Sequence, residues 1–471
     1  GLGKISVIDI GVIILYIAFF VGLCVNSNKK MQAKNFTNAG QSLSWFMVAG
    51  STIATTMGGN MVIGKYDMIL EAGVAGITSS LFWWVGWVFL LIMAVPLRKS
   101  GVSSLPMFLE KRYNTSTKKY SSYCVLISAI ASCAATFLAI GVMLEALGLC
   151  DRKTGTLIGA LVVVLLTLPS GLYGVALTDT IQAIIILVTF GVVFPIMVFR
   201  SAGGIETVLA SQTPERLSLV KGIAPITMVG WAISYSLSTG AEPNFAQRIF
   251  AARSTKDALI GSLTAWGVSL IVAGIITALP ALAMKNIFPD ITIGSTFTVR
   301  YVSTYFPIAL KGLILSVLLG LTLTSGDSYL LLLGSTFVDD IVRPKRKNLS
   351  DKKILMITRV SCVVFSIILC LIALYVDKIY ALFKIGASAY GAGIFFPLIL
   401  GCFWKKANAK AAGIAMIVGS ICSFGFDMFV KVPLGLKVDG VIIGAALNLV
   451  IMVGGSIGLY KQSIKNKEAR Y

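Results

Sequence analysis

The chain has 471 residues, 56% of them hydrophobic and 13% charged, with a mean hydropathy of +0.88 and a formal net charge of +20. That balance excludes a soluble domain and describes a polytopic membrane protein made of one helical bundle. Its Lys and Arg excess lies in short segments between apolar runs, so it reads as a topology signal and a contact with the lipid bilayer, not as a nucleic-acid surface.

Apolar segments of spanning length run at about 6–26, 44–65, 76–97, 120–148, 154–170, 172–199, 223–250, 257–284, 308–340, 354–376, 380–404, 410–430 and 437–460, about thirteen in all. The first, from Ser6 to Val25, is too long and too lightly flanked by positive charge for a signal peptide and is read as a membrane span. An odd count puts the two ends on opposite sides. Basic clusters follow spans one, three and nine, at Lys29–Lys34, Arg98–Lys119 and Arg343–Lys353, and alternate with poorer loops. The positive-inside rule then sets the N terminus outside and the C terminus in the cytoplasm, within a cell membrane. Segments 98–119, 200–222 and 285–307 mix apolar and polar residues and are expected to carry short interfacial helices.

Span two contains Ser51-Thr-Ile-Ala-Thr-Thr-Met-Gly-Gly-Asn60, where paired glycines amid hydroxyls can free backbone carbonyls from helical bonding. Non-helical backbone at membrane depth is tolerated where it lines a cavity; the alternative is close helix packing through small residues. Span seven carries Ser238-Thr-Gly-Ala-Glu-Pro-Asn244, in which Pro243 removes a helix hydrogen bond and Gly240 loosens the turn. Interrupted spans at corresponding places in two halves point to a transporter's binding site. Spans two and seven lie five apart, which predicts two inverted five-helix repeats. The resulting organisation is a first helix and loop (1–43), a first repeat (44–200), an extracellular loop (201–222), a second repeat (223–404), and two terminal helices with a cytoplasmic tail (405–471).

Span nine contains Leu318-Leu-Gly-Leu-Thr-Leu-Thr-Ser-Gly-Asp-Ser328, read as a hydroxyl-rich interruption with one carboxylate. Thr324, Ser325, Asp327 and Ser328 offer oxygens within about one helical turn, and hard cations such as Na+ prefer oxygen ligands. The alternative for the hydroxyls is bonding back to their own helix or gluing neighbouring helices together. A carboxylate inside a span asks for a cation, a donor or water.

Histidine is absent, so any proton relay has to use carboxylates. The eight cysteines are mostly scattered through apolar runs, with no paired spacing, as small buried hydrophobes. No metalloprotease, nucleophile-elbow or phosphate-loop motif is present, which argues against an enzyme and against an organic cofactor. An ion channel and a sensor remain as alternatives of another class.

Taken together, the chain resembles the sodium/solute symporter family of sodium-coupled proline, pantothenate, choline and sugar carriers. The matching pieces are Ala54-Thr-Thr-Met-Gly-Gly59, Gly171-Leu-Tyr-Gly-Val-Ala-Leu-Thr-Asp-Thr-Ile-Gln182, Gln247-Arg248, Thr324-Ser-Gly-Asp-Ser328 and Phe396-Pro-Leu-Ile-Leu-Gly-Cys-Phe-Trp404 followed by Lys405-Lys-Ala-Asn408. They run in the family's order from about residue 36 to 420.

The resemblance implies an all-α fold of the leucine-transporter type, with five-plus-five inverted repeats, and Na+ as coupling ion. It places Na+ between spans two and nine, on the carbonyls of Ala54, Met57 and Leu321 and the hydroxyls of Thr324 and Ser325. A second ion or proton site in some members maps to Asp179, Thr324, Asp327 and Ser328; Asp327 adds a second acid where members of that kind have a hydroxyl. The alternative for Asp179 is a helix cap.

The partners implied are Na+ and a small organic solute, carried by alternating access in a unit functional as a monomer. Candidate lining residues for the solute are Thr55, Thr56, Asn60, Ser238, Glu242, Asn244, Ser388 and Tyr390. Proline carriers have an Asp where Thr56 stands and choline carriers present aromatic cages, so neither substrate is favoured. Glu242 reads either as the partner of a cationic group on the solute or as half of an internal pair with Lys65 or Lys384. Trp83, Trp84 and Trp87 are expected to face lipid or core.

Overall fold

The computed structural model describes residues 5–30, 33–58, 64–169, 171–375, 386 and 389–468. Among these the chain is helical, and the one extended pairing is an isolated bridge between Leu43 and Ala252. A spanning segment cannot leave backbone groups unbonded in lipid, so the long apolar runs become helices.

Among the described residues, nine helices are long and apolar enough to cross a membrane. They are α1 (Val7–Asn26), α4 (Val74–Lys99), α5 (Thr115–Ala146), α7 (Gly171–Ser201), α10 (Thr255–Ile287), α11 (Leu310–Lys345), α12 (Asp351–Tyr375), α14 (Ala409–Leu434) and α15 (Gly440–Lys465). The remaining expected spans fall on shorter or broken helices. Span two is α2 (Trp45–Thr56) followed, after the glycine pair, by α3 (Tyr66–Ala72). Span five is α6 (Arg152–Thr167), span seven is α8 (Pro225–Gly240) and α9 (Pro243–Ala251), and span eleven is described as α13 (Ala389–Phe403). Short helices occur in all three intermediate segments, at Leu105–Arg112, Ile205–Ser211 and Phe297–Tyr305 among others.

Both expected breaks are present, and in each the cause is local. Helix α2 stops at Thr56 because Met57 leaves helical geometry (φ −78°, ψ 48°) immediately before the glycines. Helix α8 stops at Gly240 and α9 restarts with Pro243 in its first turn, where a missing N–H costs nothing.

The interruption expected at Leu318–Ser328 is absent. Helix α11 is continuous through it, because its hydroxyls bond back along the helix and no Pro or non-helical backbone enters. The open helix end that faces this stretch belongs to α2 instead.

Helix α2 lies against α7, α10 and α11, while α8 lies against α4 and α13. The packing exchanges when each span is replaced by the one five further on: α2 on α10 matches α8 on α4, α5 on α6 matches α11 on α12, and α11 on α6 matches α12 on α5. Helix α1 braces α11 and α7 from outside, and α14 and α15 form an antiparallel pair whose second member touches α8 and α13. Asp9 of α1 accepts from the backbone N–H groups of Ala309 and Gly312, each at 2.9 Å, and so caps the start of α11.

Candidate ion and solute site

Helix α11 is brought to the broken end of α2 by oxygen contacts. The Thr324 hydroxyl donates toward two carbonyls, Ala54 O at 3.0 Å on α2 and Leu321 O at 3.1 Å on its own helix. Ser325 lies against Gly58: a β-carbon built on that glycine would stand 2.7 Å from Ser325 Oγ and 3.7 Å from Leu321 O. Met57 is buried at the end of α2. Four of the five oxygens expected for Na+ therefore meet in one place, and Met57 holds the adjoining unwound residue. Thr55, Gly58 and Ser325 are only half-buried although they lie mid-span, so this face borders an opening, not packed core.

Beside it lies a buried ionic cluster. Asp179 of α7 accepts a hydrogen bond from Ser51 Oγ at 2.9 Å and pairs with Arg248 of α9 at 3.7 Å. Arg248 also donates to Ser51 Oγ at 3.1 Å, to Asn244 O at 3.1 Å and to Ser328 Oγ at 2.7 Å. Ser328 reaches Asp327 Oδ1 at 3.4 Å and Thr55 Oγ1 at 3.3 Å. Asp179, Asp327 and Arg248 are fully buried, and one oxygen of each acid, Asp179 Oδ1 and Asp327 Oδ2, has no partner. Two carboxylates against one guanidinium leave one formal negative charge.

The close approach that permits this is made by Gly50, where a β-carbon would lie 2.7–2.9 Å from Thr180, including its Cα. With only hydrogen there, α2 settles against α7 and Ser51 reaches Asp179.

The sequence shows Gln247-Arg248 as a motif and Ser51 as one of the span-two hydroxyls, but gives neither Arg248 nor Ser51 a role of its own. An arginine inside a spanning helix, in a chain with two intramembrane aspartates, was the available signal.

Of the solute candidates, three converge at the break in span seven. Glu242 accepts from the Asn244 N–H at 3.3 Å and from the Tyr390 hydroxyl. Asn244 is fully buried with both side-chain polar atoms unpartnered, and the buried Thr239 hydroxyl has no partner either. Ser238 lies against Gly391 of α13, although its hydroxyl bonds back to Ser234 O at 2.9 Å. Thr55 joins the ionic cluster, and Thr56 bonds back to Thr52 O at 2.7 Å. Asn60 and Ser388 lie outside the described residues, as do Gly59 and Lys384.

Lys65 does not pair with Glu242. Its ammonium donates to Ala273 O and to Thr277 Oγ1 at 3.3 Å, at the π-helical turn of α10 over Leu270–Ile276, and shares Ala273 O with the Thr277 hydroxyl. Trp84 and Trp87 are core residues; Trp87 stacks on Phe245 of α9 at 4.8 Å and holds the segment that carries Asn244 and Arg248.

The profile of the Sodium:solute symporter family matches residues 36–419. The chain belongs to this family. It is 26% identical to the osmoregulated proline transporter OpuE of Bacillus subtilis (strain 168), over 83% of each protein. It is 27% identical to the sodium/glucose cotransporter of Vibrio parahaemolyticus, over 92% of this chain and 87% of that one. Its fold matches a Na+-coupled sialic acid symporter at a TM-score of 0.81 and 19% identity, covering 96% and 97% of the two chains. The nucleobase-cation-symport-1 transporter Mhp1 matches at 0.58 and 13% identity, over 88% and 93%.

The molecule is thus a multi-pass symporter of the leucine-transporter type with Na+ as coupling ion. Within this symporter, the broken helices α2 and α8–α9 and the intact α11 supply most of these polar groups, while α7 adds Asp179 and α13 adds Tyr390.

Proposed function

We propose that Na+ binds between α2 and α11, on the carbonyls of Ala54, Met57 and Leu321 and the hydroxyls of Thr324 and Ser325, and drives import of a small organic solute by alternating access. The observation that carries this is Thr324 Oγ1, held within 3.1 Å of carbonyls from two different helices at an unwound helix end. A hydroxyl so placed gives a dehydrated cation several oxygens without a backbone rearrangement. The exchange of helix contacts between the two halves supports inverted repeats at 44–200 and 223–404. The apolar runs give about thirteen spans and the loop charges set the N terminus outside and the C terminus in the cytoplasm; the unit is placed in a cell membrane as a functional monomer.

The solute site is assigned to the space between the breaks in spans two and seven, facing spans four and eleven, with Thr55, Thr56, Asn60, Ser238, Glu242, Asn244, Ser388 and Tyr390. Lys65 is committed to α10, so it does not neutralise Glu242, and a cationic or amine group on the solute fits that carboxylate. Transport of a neutral or anionic solute that survives Glu242→Gln would overturn this part.

The test of the ion site is thermal stability of the purified protein in NaCl against KCl at equal ionic strength, followed by a panel of amino acids, amines, vitamins, sugars and carboxylates. Binding to the folded state at a hundredfold excess over Kd adds about 2.7 kcal/mol of stability. A Na+-specific shift that Ser325→Ala abolishes supports the site; no shift at any concentration overturns it.

A second reading rests on a separate observation, the unpartnered oxygens of Asp179 and Asp327. With Arg248 offsetting one acid, the remaining charge suits one further monovalent cation, Na+ or a proton. A stoichiometry of one Na+ with no proton movement, unchanged in Asp179→Asn, would exclude it.

A further inference from the structure

A second polar opening lies between α11, α9 and the segment that leads into the short helix Leu105–Arg112. It is narrow, with a cavity volume of about 20 Å3, and is lined at its inner end by Pro243, Gln247 and Leu332 and at its outer end by Ser103, Ser104 and Asp339. Gln247 stands one residue from Arg248, so the inner end abuts the ionic cluster.

Three features distinguish it from a packing defect. First, along α11 the residues Thr324, Ser328, Leu332, Ser335 and Asp339 are spaced by 4, 4, 3 and 4, which places them on one strip of the helix. Four of the five carry oxygen, so the strip continues from the ion site to the outer end of the opening, interrupted at Leu332. Second, Gln247 is buried in its wall: its amide nitrogen donates to Thr37 O at 3.3 Å and to Ser335 Oγ at 3.2 Å, while its Oε1 has no partner. An unpaired carbonyl oxygen at 5% exposure asks for a donor or a cation.

Third, the carboxylates next to the outer end outnumber the cations that pair with them. Asp339 pairs with Arg343 at 3.1 Å and Glu110 with Lys118 at 3.4 Å, whereas Asp340 holds only the Ser104 hydroxyl, at 3.0 Å, and keeps Oδ2 unpartnered. Three carboxylates face two cations. Low-dielectric walls lined by one sign of charge raise the local concentration of counter-ions, with effects on entry rates of about 10-fold to 1000-fold.

We propose that this opening is the inner exit of the coupling cation, with Ser335 and the Gln247 Oε1 as intermediate ligands and the Asp339–Asp340 pair drawing the ion out. The inference rests on the sodium reading and the orientation above, and it adds a route from the ion site to the cytoplasm. Leu332 acts as the apolar plug that the cation passes when α9 and α11 move apart.

The test uses the full chain in oriented membrane vesicles, with Cys150, Cys402 and Cys422 replaced by serine because they are the partly exposed cysteines. Ser335→Cys is reacted with a cationic and an anionic methanethiosulfonate of similar size, from each face, in NaCl and in KCl. We expect the cationic reagent to react at least about tenfold faster from the cytoplasmic face. NaCl should slow that reaction, and Asp339→Asn or Asp340→Asn should bring the ratio toward one. Ser103→Cys at the outer end repeats the comparison if Ser335→Cys does not fold.

Equal rates for the two reagents, labelling only from the opposite face, or a charge ratio indifferent to both Asn variants would overturn the exit. Charge-selective labelling in a protein whose stability ignores Na+ would overturn sodium as the ion while leaving an acidic exit for another cation.

Discussion

Arg248 sets its guanidinium 2.7 Å from the hydroxyl of Ser328, on a helix 80 positions further along the chain. That contact, with the Asp179 pair, ties α7, α9 and α11 at the depth of the proposed ion site. A guanidinium with several fixed donors suits such a junction, since it satisfies partners on three helices at once.

Arg248→Ala leaves two acids buried around an empty space. Removing one partner of a buried ion pair typically costs about 3–5 kcal/mol. Arg248→Ala should therefore unfold at much lower temperature than the parent, and adding Asp179→Asn should recover part of the loss. The check is a double-mutant cycle by thermal unfolding in detergent. Additive losses would mean that the two residues do not interact.

Thr324→Val keeps shape and removes the oxygen between Ala54 O and Leu321 O. The net loss of hydrogen bonding is about 1 kcal/mol, so stability in KCl should change little. The Na+ concentration that gives half the stabilising shift should rise at least about tenfold, equivalent to about 1.4 kcal/mol of binding. Titration of unfolding temperature against NaCl reads both numbers.

Gly58→Ala places a methyl 2.7 Å from Ser325 Oγ. That hydroxyl has room to turn aside, so the fold should survive while the Na+ response weakens. Gly50→Ala differs, because its methyl meets the Thr180 backbone at 2.9 Å and the helices must separate. Overpacking of this kind costs about 1–3 kcal/mol. Comparing the two variants in NaCl and KCl separates an ion-site defect from a packing defect.

Asn448→Leu probes the terminal helices. The Asn448 side-chain nitrogen lies 2.8, 2.9 and 3.0 Å from Ala392 O, Gly393 O and Ala415 O, and so holds the turn in α13 that follows Tyr390. Each buried carbonyl left without a donor costs about 1–3 kcal/mol. Asn448→Leu should lower the unfolding temperature, and should shift the solute KM more than the Na+ dependence because Tyr390 lies one helical turn away. Equal effects on both would assign Asn448 to general stability.

Much of this architecture was legible from composition and local chemistry alone. Long apolar runs have one solution in lipid, and Gly58 and Pro243 mark the two breaks because each removes a helical constraint at its own position. Thr324 and Ser325 were legible as candidate ion ligands because hydroxyls on one helical turn are a local pattern. Neither the arginine inside the acidic cluster nor the latch at Asn448 has such a pattern. Ser51, Asp179, Arg248 and Ser328 meet only because Gly50 lets α2 settle against α7 and because Trp87 on Phe245 fixes α9. The same holds for span nine and for Lys65, one of the two partners that sequence offered Glu242. Lys65 is held by Ala273 O and the Thr277 hydroxyl on α10, and the open helix end came from α2 and not from α11. Which of several chemically acceptable partners a buried polar group takes is decided by helix register and close approach, and those exist only in the packed bundle.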